Sequence, residues 1–232
     1  MNVSDTSVIG VFFGGDMDRA RTVLNLINLF DSTDREIIME NINYGMPDLA
    51  GWRMEQYRRI FAYTGKSKSF VLSWFNHGVK LPLVDLCKIS NLMGINVYSM
   101  LKKNGSYEAL KRQSQQDNLV FGEDVATIYI EVFNAHRSAD KSVVVDKLEE
   151  CYGKSTDYHS GRMERVTGIT GATKVAYRSW FARSRTRVRL PLDAMCKLAI
   201  EANVDIMEFF LPKGCENGNS GTESRNITQG NL

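Results

Sequence analysis

The feature that most constrains this 232-residue chain is an internal repeat, because any fold for one part must serve a second part as well. Residues 64–75 (TGKSKSFVLSWF) and 170–181 (TGATKVAYRSWF) are identical at six of twelve positions. Residues 81–101 and 190–210 share five of 21 more, including LPL and CK. Unrelated sequences of average composition agree at about one position in twenty. Corresponding residues are 106 positions apart in the first block and 109 apart in the second. Copy two therefore has three extra residues between Phe181 and Leu190.

The duplication extends upstream as amphipathic helices. Apolar residues recur at i, i+3, i+4 and i+7 over residues 20–27 and 125–132, the spacing of a helix with one buried face. Second helical patterns follow at residues 34–44 and 141–152. Ser32 and Ser138 are the predicted N-caps of these second helices. Strand signals are almost absent, so the chain is predicted to be all-α.

Polar segments divide the chain into two domains. Residues 103–122 are polar, with glycines near both ends, and are predicted to be a linker. Residues after 211 are rich in Gly, Asn, Ser and Thr, with almost nothing apolar to bury, and are predicted to be disordered. The predicted domains are copy one (1–102, with an extra N-terminal helix) and copy two (123–211), followed by the tail (212–232).

Several classes of protein are excluded by what the sequence lacks. No run of about 18 apolar residues exists, and the N-terminus has no basic stretch of a secretion signal, so a cytoplasmic location and no membrane partner are expected. The four cysteines and three histidines are too scattered for a metal site, and no cofactor is expected. No phosphate loop, nucleophile elbow or HExxH motif occurs, so the chain is not expected to be an enzyme.

Charge is segregated along the chain although the net charge is only +2. Residues 1–50 carry eight acids and three bases. Residues 51–90 carry seven bases and two acids, and residues 162–197 carry nine bases and two acids. Two basic blocks therefore coincide with the two repeated motifs, as expected for contact with a polyanion.

The repeated motif predicts two short helices joined by a turn at Thr64–Gly65, which is a helix-turn-helix. In the second of these helices, Val71, Trp74 and Phe75 fall at i, i+3 and i+4 and should face the core. The opposite face is small, polar and basic, the composition that a helix needs to approach base edges and phosphates in the major groove. The residues matched between copies, Trp74 with Trp180 and Cys87 with Cys196, are also predicted to lie in the core.

These residues resemble a known family. The pattern TG-x-S-x-S-x-V-x-SWF-x-x-G-x-x-LP is similar to the lambda-repressor-like (XRE-type) helix-turn-helix domain, over roughly residues 32–102 and 138–211. Copy two is similar to the N-terminal DNA-binding domain of phage repressors of the CI type. The resemblance implies a five-helix bundle per copy with the third helix in the major groove. Nothing after residue 212 resembles a self-cleaving domain, so inactivation by self-cleavage is not expected.

The resemblance also implies which residues contact DNA. The base-edge candidates are Lys66, Ser67, Lys68, Ser69 and Ser73 in copy one, and Thr173, Lys174, Arg178 and Ser179 in copy two. Four alternating arginines follow the second motif and would neutralise phosphates or enter a minor groove, with two weaker counterparts in copy one: Arg183, Arg185, Arg187 and Arg189, and His77 and Lys80. Ala172 and Val175 replace Lys66 and Ser69. The two helix-turn-helix units, called heads below, are therefore not expected to bind the same bases.

The sequence therefore predicts a sequence-specific regulator of transcription, a repressor or an activator, from a phage, plasmid or other mobile element. Its predicted partner is double-stranded DNA in the nucleoid, with RNA polymerase added for an activator. One chain could act as a pseudo-dimer, or a homodimer could present four heads. The amphipathic helices at 17–30 and 123–133 would pair the heads, form the dimer or complete each core. The alternative is a protein-interaction module such as an antitoxin or antirepressor.

Overall fold

A computed structural model of the chain describes residues 19–46, 53–153, 160–180 and 190–210. The all-α prediction is confirmed for these residues, which form α-helices and short 3₁₀ helices and contain no β-strand. Copy one contains α1 (Arg19–Ser32), α2 (Arg35–Gly45), α3 (Arg53–Thr64), α4 (Lys68–Asn76), α5 (Leu83–Met93) and the 3₁₀ helix η1 (Ser99–Leu101). After α6 (Tyr107–Phe121), copy two contains α7 (Val125–Ser138), α8 (Lys141–Tyr152), α9 (Ser160–Thr170), α10 (Lys174–Trp180), α11 (Leu192–Ala202) and η2 (Ile206–Phe209). Within these ranges, no helix combines the length and the apolar character needed to cross a membrane.

The N-cap of the second helix lies two residues later than predicted in each copy. Ser32 and Ser138 are the last residues of α1 and α7, and their hydroxyls donate to carbonyls of their own helices. The N-cap positions are held by Asp34 and Asp140, and the Asp140 carboxylate accepts from the Ser142 N–H at 2.7 Å. The serine prediction is wrong because a serine at a helix C-terminus satisfies its hydroxyl on the preceding turn, which leaves the acid to begin the next helix.

The predicted linker contains α6, which packs against α2 and η1 of copy one. The Ser106 hydroxyl caps this helix by accepting from the Ala109 N–H. The Asp117 carboxylate is almost fully buried and lies 2.6 Å from both Lys102 Nζ and Ser99 Oγ. Copy one therefore carries a helix on its surface that has no counterpart among the described residues of copy two.

The matched tryptophans and cysteines lie in the core, as predicted. Trp74, Cys87 and Cys196 have no exposed surface, and Trp180 is 8% exposed. Phe75 is half-buried, and its ring contacts Tyr57 edge-on at 4.9 Å between centroids. The side of α4 that bears Val71 and Trp74 is thus fixed to the core, which determines which side of the helix remains outside.

The first helices of the two copies are exchanged. Although α1 is the first helix of copy one, it packs against α11 of copy two. In the same way α7, the first helix of copy two, packs against α5 of copy one. The two exchanged helices also pack against each other. The amphipathic helices that were predicted to pair the heads, form the dimer or complete each core therefore contribute buried residues and pack across the two copies.

Candidate nucleic-acid interface

The turn between the two short helices has the same backbone conformation in both copies. Gly65 and Gly171 adopt φ values of 70° and 73°, in the left-handed region that glycine enters without steric cost. The hydroxyls of Thr64 and Thr170 each donate to the carbonyl four residues earlier at 2.7 Å. Each hydroxyl also accepts from the N–H two residues later, at 3.4 and 3.3 Å. The Thr-Gly pair thus ends the first helix and starts the turn.

A lysine from a later helix secures each turn. Lys88 Nζ donates to the Thr64 carbonyl at 3.3 Å, and Lys197 Nζ donates to the Thr170 carbonyl at 3.4 Å. A cation is favoured there because the carbonyls at a helix C-terminus carry partial negative charge. Neither lysine is among the predicted site residues. The signal that could have identified them is the identical Cys-Lys pair that follows LPL in both copies.

Four of the predicted contact residues have hydroxyls that also maintain the helix. Ser67 and Thr173 are the residues before α4 and α10, and each accepts from the N–H three residues ahead, at 3.3 and 3.1 Å. Ser73 and Ser179 each donate to the carbonyl three residues behind, at 2.6 and 2.7 Å. Each serine oxygen keeps a lone pair, so these groups can accept a hydrogen bond from a base amino group.

In copy one, the exposed residues at the start of α4 form a compact polar cluster. Ser67, Lys68 and Ser69 are all exposed, and the two serine hydroxyls lie 3.2 Å apart. Among the described residues Lys68 has no ion-pair partner, so its ammonium group is available to a ligand. Phe70, 42% exposed, lies beside this cluster and packs its ring edge against Trp74.

Lys66 is held by the protein core. Its ammonium nitrogen lies 3.6 Å from Asp85 Oδ2, and the Asp85 side chain has no exposed surface. Neither carboxylate oxygen has a hydrogen-bond partner among the described residues. Burial raises the pKa of Asp85, while the positive charges of Lys66 and Lys88 oppose that rise. Lys66 is therefore a counter-ion of a buried acid, in addition to being a candidate base contact.

The remaining copy-one candidates, His77 and Lys80, follow α4. His77 is exposed and ends the helix, and its N–H donates to the Ser73 carbonyl. Lys80 Nζ lies 3.4 Å from Asp31 Oδ1 and 4.5 Å from the centre of the Phe30 ring. Because both partners belong to the end of α1, Lys80 ties the loop after α4 to that helix.

In copy two, the exposed face of α10 carries Lys174, Arg178 and Ser179, together with Val175, which is 75% exposed. Within the described ranges neither Lys174 nor Arg178 has an ion-pair partner. The positions that correspond to Lys66 and Asp85 are both alanine, at 172 and 194. The predicted phosphate contacts that follow α10 in the sequence lie outside the described residues: Arg183, Arg185, Arg187 and Arg189.

Searches of protein-family models, of curated proteins and of solved structures found no match to this chain. The candidate interface therefore rests on the repeated geometry and chemistry of the chain itself.

Proposed function

We propose that the protein is a sequence-specific double-stranded DNA-binding regulator of transcription that inserts α4 and α10 into the major groove as the second helices of two helix-turn-helix units. The observation that carries this proposal is the repetition of one arrangement. In both copies a Thr-Gly turn, bound by a lysine of α5 or α11, leads to a capped helix with an exposed polar and cationic side. A helix-turn-helix presents its second helix in this way.

The chemistry of each exposed face suits a duplex groove. Lys68 and Lys174 occupy the first position of α4 and α10 and can donate to guanine O6 and N7. Arg178, one helical turn further on, can contact a base edge or a phosphate. The exposed methyl groups of Val175 suit contact with a thymine methyl, where copy one offers the Ser69 hydroxyl. The two units would therefore bind different bases.

The regulatory part of the proposal rests on the family resemblance and carries its further expectations. A cytoplasmic, nucleoid-associated protein of a phage, plasmid or other mobile element would act as a repressor by occupying an operator. It would act as an activator by contacting RNA polymerase. The described residues contain no group of three or more His, Cys, Asp or Glu side chains that could hold a metal ion.

The first test is selection of bound sequences from a random double-stranded DNA pool by the full chain, followed by titration of the enriched site over a range of salt concentrations. We expect enrichment of a defined sequence and a steep loss of affinity with salt, because each neutralised phosphate contributes about −0.9 to the slope of log K against log salt. Lys68→Ala and Lys174→Ala should relax base preference.

Lys111→Ala is the matched control, because Lys111 is an exposed lysine on α6, outside both candidate faces. It should leave base preference unchanged. A pool without enrichment, or a salt-insensitive complex with another protein in place of DNA, would reject DNA binding in favour of the protein-interaction alternative.

A further inference from the structure

We propose that a single chain binds one asymmetric operator whose two half-sites have a fixed spacing and a fixed relative orientation, because α1 and α7 lock the two DNA-binding units into one body. This inference rests on the proposed function and deepens it by specifying the geometry of the DNA that the protein binds.

The contacts between the copies are reciprocal. Helix α1 of copy one packs on α11, and the corresponding helix α7 of copy two packs on the corresponding helix α5. A two-fold relation satisfies both contacts at once, as in the isologous interface of a symmetric dimer. The single chain thus has the internal symmetry that two-fold DNA operators match.

Each exchanged helix is attached to both copies. At its beginning, Arg19 Nη1 of α1 lies 2.8 Å from Asp205 Oδ2 of copy two. At its end, the Phe30 ring lies under Lys80 of copy one. Helix α1 therefore cannot move with one copy without breaking a contact to the other.

Helix α7 is attached in the same way with the copies reversed. Near its beginning, Thr127 Oγ1 accepts from Asn91 Nδ2 of copy one at 3.2 Å. Near its end, His136 Nε2 donates to the Leu190 carbonyl of copy two at 2.8 Å. Leu190 is the first residue of the LPL segment that leads into α11. Helix α11 packs on α9, and α9 packs on α10, so the end of α7 is connected through α11 to the candidate face of copy two.

The packing between the copies is core packing. Val23 and Leu26 of α1 and Val125 and Val132 of α7 have no exposed surface. Separation of the copies would bring these side chains into water, which opposes independent movement of the two units. The two candidate faces are therefore held at one separation and one angle, unlike two domains joined by a flexible linker.

A fixed separation requires DNA in which both half-sites are in phase. Half-sites of helix-turn-helix dimers lie about 10 to 10.5 base pairs apart, or a multiple of that, so that both face the protein. The half-sites must also differ in sequence, because the exposed Ser69 hydroxyl of copy one is replaced by the Val175 methyl groups in copy two. The expected ligand is one asymmetric site, bound by one chain.

The test uses the full chain and the site enriched from the random pool. Two, five and ten base pairs are inserted between the half-sites, and one half-site is inverted in a further duplex of identical composition. Insertion of five base pairs turns one half-site to the opposite face of the duplex. We expect affinity to fall to that of a single half-site, a loss on the order of 100-fold or more, because linked binding sites gain that much from simultaneous engagement. Inversion should have a similar effect.

The number of chains on the minimal two-half-site duplex, counted by native mass spectrometry, completes the test. One chain per duplex with one sharply preferred spacing supports the inference. Equal affinity at all spacings, or two chains on the minimal duplex, overturns it while sequence-specific DNA binding stands. Failure to enrich any sequence would instead reject the proposed function, and with it this inference.

Discussion

The two copies build the same turn with different electrostatics. In both, a lysine from the second helix after the turn, α5 or α11, donates to the last carbonyl of the helix before the turn, at 3.3 and 3.4 Å. Only copy one adds a buried carboxylate, Asp85, with Lys66 as its counter-ion at 3.6 Å. Copy two has alanine at both positions, 172 and 194. The lysine-to-carbonyl contact is common to both turns, whereas the buried ion pair is an addition that the arrangement does not need.

Under the proposed function, this difference predicts which copy contributes more to the selection of a DNA sequence. A buried ion pair and a pair of small apolar residues often give similar stability, because desolvation of the charges offsets their attraction. The pair therefore changes what the face presents more than how firmly it folds. Lys66 is committed to Asp85, and Lys80 is committed to α1, so copy one offers Lys68 as its main available cation. Copy two offers Lys174 and Arg178, and we expect it to contribute more of the base discrimination.

The largest expected effect tests whether the copies fold separately. Trp74→Ala removes a fully buried side chain from copy one and should lower the free energy of unfolding by about 3–5 kcal/mol. Because α1 and α7 are exchanged, we expect copy two to unfold in the same transition. Urea unfolding followed by the fluorescence of the remaining tryptophans, including Trp180, should coincide with unfolding followed by far-UV circular dichroism.

Trp180→Ala is the matched variant in copy two and should also give one transition. Two separate transitions, with only the substituted copy weakened, would contradict the coupling between the copies. The comparison would then be between two independent domains.

The next effect tests the buried ion pair. Lys66→Ala leaves the Asp85 carboxylate buried without its nearest counter-ion and should cost about 2–3 kcal/mol, less than a fully buried pair because the lysine side chain is 37% exposed. Adding Asp85→Ala reproduces the alanine pair of copy two and should recover most of that loss. Lys68→Ala, a substitution at an exposed site without a described partner, should change stability by less than about 0.5 kcal/mol.

Chemical unfolding of the unsubstituted protein and the three variants under identical conditions measures these changes in the free energy of unfolding. If the double variant is no more stable than Lys66→Ala alone, the pair supports the turn in copy one and the alanines of copy two need another compensation.

Much of this arrangement follows from the sequence, and the rest does not for physical reasons. The identical TG and SWF segments predicted the turn and the buried side of α4 correctly, because a left-handed glycine and a 3.6-residue period are local properties. The role of Lys66 could not be predicted, since its partner Asp85 lies on a helix that looks amphipathic without it. Local pattern also cannot show to which copy α1 belongs, because its apolar side fits either. The sequence patterns at residues 20–27 and 125–132 are 105 positions apart, whereas the bounds and buried positions of α1 and α7 correspond at a separation of 106, which pairs Phe30 with His136.

A further prediction compares cations on the two faces. Lys174→Ala should reduce discrimination against the wrong base by about 1–2 kcal/mol, within the range for a good base contact. Lys66→Ala should reduce it by less than about 0.5 kcal/mol, because the Lys66 ammonium is directed to Asp85. Competition binding with single-base variants of the selected site measures both. Equal loss in the two variants would show that Lys66 leaves Asp85 when DNA binds, and the proposed division between the copies would be wrong.

The smallest effect concerns the ends of the exchanged helices, where copy two has His136 and copy one has Phe30. Burial lowers the pKa of His136 below its usual 6.5, and the hydrogen bond to the Leu190 carbonyl opposes this only in part. The folded state therefore favours the neutral ring, so stability from this group is present above about pH 6.5 and is lost as pH falls.

His136→Phe, which copies the residue of copy one, should cost about 1 kcal/mol at pH 8 through the lost hydrogen bond. The deficit should shrink as pH falls towards 5, because only the wild type then has to accommodate a proton on a buried ring. Urea unfolding at each pH measures the difference, with His77→Ala as the control for loss of an exposed histidine. A deficit that stays constant from pH 8 to pH 5 would mean that the end of α7 is open to water and that this attachment to copy two is loose.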